Sequence, residues 1–323
     1  MEVLFLLGNG FDINLKLPTD YQSFYDDYLN QESSSDLVSV LKGYLSQERY
    51  QTWADLEWGL GQYTTQVKTV EDLEVIYFDL SDHLRTYLHN LAKSFEPTAP
   101  MKEVIFRGLS GPHFFLPDGM KREIVSFIGG NQRNVNVISF NYTDTFERIV
   151  GFGEKTVSYP IQLDRYAVLN SIRHIHMSLA DSDFIMGVND ENQIRNQNML
   201  NDACRNLLVK PHINQQLQNL VDEECLRLIG QADLICLFGL SLGKTDLMWW
   251  EAIGKRMMTS HARLIYFVYD KTKVTRNSRI IGKMQESRTL LLERFGIEKN
   301  QDQNDLLKRI YIGYNTKVFR VGE

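Results

Sequence analysis

Cysteine and proline are scarce in this chain, with three cysteines and seven prolines among 323 residues. Cys204, Cys225 and Cys236 form no CxxC pair and follow no regular spacing. Neither a disulfide framework nor a cysteine metal site is expected, and the thiols read as reduced and cytoplasmic. Cys236, inside an apolar run, reads as a small core residue. The few prolines and the 24% of charged residues argue against long disorder. Long apolar runs are missing as well. VLFLL at 3–7 spans five residues without a basic flank, too short for a signal peptide or a membrane span. Positive charge is not in excess either. The net charge is −6, and no basic stripe interleaved with aromatics stands out, which argues against a nucleic-acid partner. Internal repeats and low-complexity tracts are also lacking.

What is present is apolar residue in quantity, 43% of the chain, enough for one large domain or two modest ones. VLFLL runs straight into GNG, the pattern of a strand buried on both faces and followed by a tight turn. Thr19 is then a candidate N-cap, with Asp20 in the first turn. Tyr21, Phe24, Tyr25, Tyr28 and Leu29 repeat at helical spacing behind it. The helical pattern continues to about residue 95. Trp53, Leu56, Leu60 and Tyr63 share one face, and Leu73, Ile76, Tyr77, Leu80, Leu84, Tyr87, Leu88 and Leu91 mark another, longer helix. EPTAP at 96–100 ends it, and LSGPHFFLPDG within 101–131 reads as an irregular loop.

Short apolar runs then return. VNVISF at 135–140, RHIHM at 173–177, FIMGV at 184–188, ADLICLF at 232–238, ARLIYFVYD at 262–270 and TKVFRV at 316–321 read as strands. Residues 213–229 and LMWWEAIGKRMM read as helices between them. Strands that alternate with helices and end in Gly, Asn or Asp predict a mostly parallel, Rossmann-like α/β sheet with helices on both faces. Ligands bind such sheets beyond the carboxyl ends of the strands. The expected organisation is an α/β domain of residues 1–32 and 132–323, with a helical insertion at 33–131 after the first strand.

One stretch, GLSLGKTD at 239–246, fits two motifs at once. GLSLG matches the G-x-S-x-G turn of α/β-hydrolases. The one histidine after Ser241, however, is His261, only twenty residues on, with no room for the strands that fold requires. GLSLGKT falls one residue short of the P-loop, and that residue sets how many amides wrap a phosphate. GNGFDI at 8–13 is likewise an incomplete G-x-G-x-x-G, since Ile13 stands at the third glycine position.

Taken in order, GNGFDINLKLPTDY, WADLE, SFNYTD, IHM, IMGVND and GLSLGKTD with WW close behind resemble the bacteriophage abortive-infection AbiH family over nearly the whole chain. That family in turn is similar to sirtuin-type NAD-binding domains. Gly8, Gly10 and Pro18 match the sirtuin glycine turn and its proline segment. Asn141, Tyr142 and Asp144 match its TNYD-like segment with one residue inserted. Gly239, Ser241 and Leu242 match the turn beneath the adenine ribose. His176 matches the catalytic histidine, but Met177 follows it where a glycine belongs.

The resemblance implies a phage-defence effector with a sirtuin-like site for NAD or a related nucleotide, and no metal. The CxxC pairs of a sirtuin deacylase zinc module are absent, which argues against protein deacetylation. In this reading Asn141, His176 and Asp144 are catalytic. His176 titrates near neutrality as a general base, and Asp144 favours the developing cation. Gly8, Asn9, Gly10 and Asp12 face the phosphates and sugar, Gly239, Ser241 and Asp246 form the second turn, and Asp270 bonds ribose hydroxyls. Each has a plainer alternative. For His176 that alternative is a satisfied strand histidine beside His174. For Asn141 and Ser241 it is a plain turn residue. Glu57 of WADLE reads as a helix-surface acid or a salt-bridge partner. Lys210 or His212 of VKPH reaches an anionic ligand or belongs to a plain turn. Two functions follow, an NAD glycohydrolase-like enzyme or a non-catalytic nucleotide sensor. Partners beyond the nucleotide are a second copy of the chain or a phage-derived trigger.

Overall fold

The computed structural model describes residues 1–48, 51–152, 157–162, 165–179, 185–272, 276–297 and 303–321. The chain opens with strand β1 (Glu2–Leu7) and passes through a short helix α1 (Gly10–Asn14) into α2 (Tyr21–Tyr28). Helices α3 (Asp36–Glu48), α4 (Leu56–Tyr63), α5 (Val70–Ser94), α6 (Ala99–Ser110) and α7 (Asp118–Ile128) follow. Then come β2 (Arg133–Ser139), α8 (Thr145–Val150), β3 (Val157–Gln162) and β4 (Arg165–His174). After β4 stand α9 (Asp202–Leu208), α10 (Lys210–Gln216), α11 (Val221–Gln231), β5 (Leu234–Phe238), α12 (Leu247–Thr259) and β6 (Arg263–Val268). The last elements are α13 (Asn277–Arg294), α14 (Gln303–Lys308) and β7 (Ile310–Tyr314).

The strands form one sheet in the order β3-β4-β2-β1-β5-β6-β7. Every neighbouring pair is parallel except β3 with β4 at the edge. With that hairpin strand set aside, the order runs third, second, first, fourth, fifth, sixth, which is the doubly wound order of Rossmann-like folds. The expected parallel α/β sheet is therefore what the chain forms. The order reverses between β1 and β5, so a crevice opens there at the carboxyl ends.

Alternation along the buried strands explains the layers. Val3, Phe5 and Leu7 of β1 join Val135 and Val137 of β2 in a core covered by α6, α7 and α8. Leu4 and Leu6 point the other way, into a core with Trp249, Trp250 and Ile253 of α12 and Leu228 of α11. A third cluster contains no strand residue. Phe24, Tyr28, Leu41, Trp53, Leu60, Ile76 and Leu80 from α2–α5 pack there with Met186, Val188, Leu207 and Leu208. Each such side chain contributes about 1.5–3 kcal/mol by burial. Of the stretch 33–131, α3–α5 belong to this cluster, whereas Ile105, Leu109, Ile124 and Ile128 of α6 and α7 lie under the sheet. No helix among the described residues is long and apolar enough to cross a membrane.

Several local expectations change. The cap of α2 is Asp20, whose carboxylate accepts the Ser23 amide, while Thr19 turns back to bond Asn9. Residues 101–131 are mostly helical. Pro97 follows the end of α5, while Pro100 sits in the first turn of α6, where its missing N–H is harmless, and Thr98 caps that helix. GPHFF is a single 3-10 turn at Pro112–Phe115. Residues 213–229 are two helices, α10 and α11, broken at Gln218 with φ +54. RHIHM is strand only to His174, and Met177 takes φ +59. FIMGV forms no strand among its described residues, since Phe184 lies outside them and Val188 makes one isolated bridge to Val209. The last strand is IYIGY, not TKVFRV. Asn315 and Phe319 at φ +49 and +56 turn that tail so that Phe319 packs on Phe5, Phe11 and Phe238.

Candidate functional site at the strand ends

The two glycine turns meet at the crossover of the sheet. The Gly8 amide donates to the Phe238 carbonyl at 2.9 Å, and the Gly10 amide to the Gly239 carbonyl at 2.9 Å. A Cβ on Gly8 would come 2.5 Å from the Gly239 oxygen, and one on Gly10 2.5 Å from the Gly239 Cα. Gly239 itself holds φ +70. Both turns are glycine because backbone packs on backbone here. The amides of Gly8 and Gly10, expected to face phosphates, are already paired with the end of β5. The Asn9 side chain is engaged too, since its amide donates to the Thr19 carbonyl at 2.9 Å.

The second turn is built differently. Its carbonyls are held from outside, by Tyr266 at Leu240, Arg294 at Leu242 and Trp250 at Gly243. Among the described residues, no acceptor stands within hydrogen-bond reach of the Leu240, Ser241 and Leu242 amides. Amides left open in a turn form a concavity suited to an anion. Ser241 is exposed and is not the strained residue; Leu242 is, at φ +55. His261 precedes Arg263, which pairs with Leu234 at the amino end of the sheet, a strand length from Ser241. The hydrolase triad cannot assemble.

Beside these turns lies a buried polar centre. Lys210, 2% exposed, donates to Glu57 at 2.8 Å and to His176 Nδ1 at 3.2 Å. Glu57, 4% exposed, also accepts from the Tyr142 hydroxyl at 2.7 Å. Asp55 caps α4 by accepting the Glu57 and Trp58 amides at 3.1 Å, and it takes the Thr245 hydroxyl at 3.0 Å. Asp246 accepts from Asn189 at 2.9 Å. Burial pushes the Asp246 carboxyl up to about 7, with Lys210 opposing and Glu57 and Asp55 adding to the rise. Burial raises Asp55 as well, with Glu57 adding to it. Tyr21 stands close enough to Glu57 and Asp55 for burial and their charges to raise it.

His176 is 5% exposed. Burial holds its pKa well below the usual histidine range, and the Lys210 charge adds to that. An ammonium only donates, so Nδ1 is unprotonated and the neutral ring carries its proton on Nε2. The expected base titrating near neutrality is therefore a neutral donor instead.

A second polar group lies under the first turn. Asp12 is buried and accepts from Thr143, and burial raises its carboxyl to about 7. His174 meets the Asn141 carbonyl with Nδ1 at 2.8 Å and Glu147 with Nε2 at 2.5 Å. The Asn141 Oδ1 and Asp12 Oδ1 atoms are buried without a hydrogen-bond partner.

Of the residues expected at a site, the structure gathers His176, Asp246, Asn141, Asp12 and the turns at one end of the sheet. Asp144 and Asp270 also follow strand ends, but the side chain of neither bonds a residue of the centre around Lys210. Asp144 is the N-cap of α8 without a side-chain cap bond. Asp270 is held by Thr272 and Tyr314 in the β6–β7 region, and those bonds lower its pKa. Glu57 and Lys210 are central, and their roles were open in the sequence. Asp55, Tyr142 as a hydrogen-bond donor and Asn189 were missed. A buried Lys inside VKPH and an acid in WADLE were the available signals, but their partners lie 153 residues apart.

Chemically, Asp55, Glu57 and Asp246 face one ammonium and a neutral imidazole. Once the carboxyls ionise the centre is net negative, an environment that favours a cation over a phosphate. Among the described residues no three His, Cys, Asp or Glu side chains could hold a metal ion together. Two surface grooves lie elsewhere, one along α2 and α5 at Asp27, His83 and Tyr87 and one between Phe115, Met284 and Tyr314. Neither carries comparable chemistry. Residues 4–268, from β1 to the end of β6, match a protein-family model described as Bacteriophage abortive infection AbiH. No curated protein matches the chain.

Proposed function

We propose, from the premise that this chain belongs to the bacteriophage abortive infection AbiH family, that it acts in phage defence by splitting the nicotinamide–ribose bond of NAD or a related nucleotide. Membership supports the role in abortive infection. The chemistry rests on one observation, the carboxyl groups of Glu57, Asp55 and Asp246 gathered around Lys210, beside a turn with open amides.

Breaking an N-glycosidic bond builds positive charge on the ribose, and the leaving nicotinamide is itself cationic before the break. Carboxylates aimed at that charge stabilise the transition state more than the ground state. In this reading the diphosphate lies on the Leu240–Leu242 amides and the nicotinamide ribose over the carboxylates. Glu57 orients water and stabilises the sugar cation. Lys210 and Tyr142 hold Glu57 in place. His176 donates from Nε2, and the unpartnered Asn141 Oδ1 accepts from the ligand.

Free nicotinamide is followed by chromatography after incubation with NAD. The wild type releases it, and Glu57→Gln loses about 10²-fold or more of the rate, the usual worth of a positioned acid–base group. Asn141→Ala weakens NAD binding. Release by Glu57→Gln at the wild-type rate would sink the reading. A sensor is favoured by one observation, that Lys210, Glu57 and His176 are all buried and mutually paired. Tight binding of NAD and ADP-ribose by the wild type with no release at high enzyme concentration would select it.

A further inference from the structure

At the opposite end of the sheet stands a guanidinium with no partner. Arg133 opens β2 and is 7% exposed. It shares the strand face of Val135 and Val137, so its side chain points under the sheet into the layer covered by α6 and α7. Its Nε and Nη1 atoms are buried with no hydrogen-bond partner, and among the described residues no carboxylate stands within ion-pair distance.

His113, in the 3-10 turn between α6 and α7, is 3% exposed, and its Nδ1 is likewise buried and unpartnered. It lies close enough to Arg133 and to Lys121 of α7 for their charges to add to burial in lowering its pKa to about 4. Lys121 rests over the Phe114 ring at 5.2 Å. The amino terminus is nearby, since the Met1 amine donates to the Gln132 carbonyl at 3.2 Å.

A guanidinium does not give up its proton inside a protein, so Arg133 cannot escape burial by neutralising. A buried charge without a counter-charge is strongly unfavourable, and buried polar atoms without partners are rare. Positive groups surround this one, and unfilled donors point inward from two elements. We infer that Arg133 and His113 form a binding site for a small oxyanion, a free phosphate or the phosphoryl group of a nucleotide, at the amino end of the sheet. The planar fork of Arg133 takes two oxygens of such a group. His113 donates from Nδ1, and Lys121 lends charge from the rim. Seven residues of β2 separate this site from the centre around Glu57 by on the order of 20 Å, so it stands or falls independently of the proposed activity.

The test is thermal unfolding of the full chain in rising sodium phosphate, with sodium chloride lowered to keep ionic strength constant, for wild type and Arg133→Met. The wild-type midpoint rises with phosphate. Arg133→Met loses that rise, and its midpoint without phosphate equals or exceeds the wild type's, because an apolar side chain of similar length removes an uncompensated charge. Titration calorimetry with inorganic phosphate and with AMP separates the sources. Tighter binding of AMP, lost in Arg133→Met, assigns the site to a nucleotide; equal binding assigns it to phosphate itself. Should Arg133→Met fail to fold, His113→Leu carries the test, with phosphate affinity falling several-fold. A flat wild-type midpoint, or a variant that responds to phosphate as the wild type does, overturns the inference.

Discussion

Lys210 places one ammonium between a carboxylate and an imidazole, all three out of water. Removing the cation alone strands Glu57 as a buried unpaired charge. Lys210→Met is expected to lower stability by about 3–5 kcal/mol, while Lys210→Met with Glu57→Gln recovers most of that. Urea unfolding of the two variants measures it, and equal losses in both would show the pair to be uncoupled. Asp12 gives a pH signature at the same scale. Its folded carboxyl titrates at about 7, against an ordinary value of 3.8. The folded state therefore holds a proton that the unfolded chain has already released. The stability this contributes is whole below about 4 and is lost as pH rises to about 7. Asp12→Asn should flatten the fall in urea midpoint between pH 5 and pH 8 relative to wild type. His176 works in the opposite sense. Its unfolded ring takes up a proton below about 6.5 while the folded ring does not, so stability drops on acidification. The variant-minus-wild-type difference isolates Asp12 from it.

Among the elements, the segment 185–199 acts as a strap across the site. The Val188 amide donates to the Leu208 carbonyl at 2.7 Å, and the Lys210 amide returns to the Val188 carbonyl at 2.9 Å. Asn189 holds the Thr245 carbonyl and Asp246, and Gln193 reaches the Lys244 carbonyl. Arg195 bonds the Gly61 carbonyl at the end of α4. Gly187 makes the approach to α9 possible, since a Cβ there would sit 2.2 Å from the Leu208 carbonyl oxygen. Gly187→Ala is expected to cost about 2–4 kcal/mol and to expose the Val188 and Lys210 amides to faster hydrogen exchange. Gly43, exposed on the outer side of α3, meets nothing within 4 Å, so Gly43→Ala should stabilise by about 0.5–1 kcal/mol. Similar effects at both glycines would refute the packing argument. FIMGV resembled a strand because its composition is that of one. Its backbone instead pairs with the turn before α10, a partner that hydrophobic period does not encode.

At the scale of the whole molecule, a sheet with two covered faces meets a separate helical cluster, and the polar centre lies where they join. Glu57 comes from α4 in that cluster, Tyr142 and His176 from the ends of β2 and β4, and Lys210 from the start of α10. A ligand at this junction touches both bodies. Binding of ADP-ribose should slow hydrogen exchange in α4, in the strap and in α10, and leave β7 unchanged. Saturating ligand with no protection in α4 would place the nucleotide elsewhere.

The alternation of short apolar runs with helical stretches was enough to specify the parallel sheet. VLFLL, VNVISF, ADLICLF and ARLIYFVYD are runs that form strands buried on both faces, and those need helices above and below. The family resemblance was legible in the same way, because GNG, FNYTD and GLSLG mark the ends of β1, β2 and β5, where a doubly wound sheet keeps its functional residues. What those residues do was decided by the tertiary structure. The glycines of GNG serve backbone packing against Gly239, and this became visible only once β1 and β5 lay side by side. His176 is neutral because burial and the Lys210 charge disfavour its protonation, and it donates from Nε2 because Lys210, 34 residues away, puts an ammonium against Nδ1. Glu57, read as a surface acid or a salt-bridge partner, is the buried partner of Lys210 because α4 folds back onto the strand ends. Charge, protonation and burial are properties of a residue's surroundings, and here nearly all of those surroundings come from distant parts of the chain.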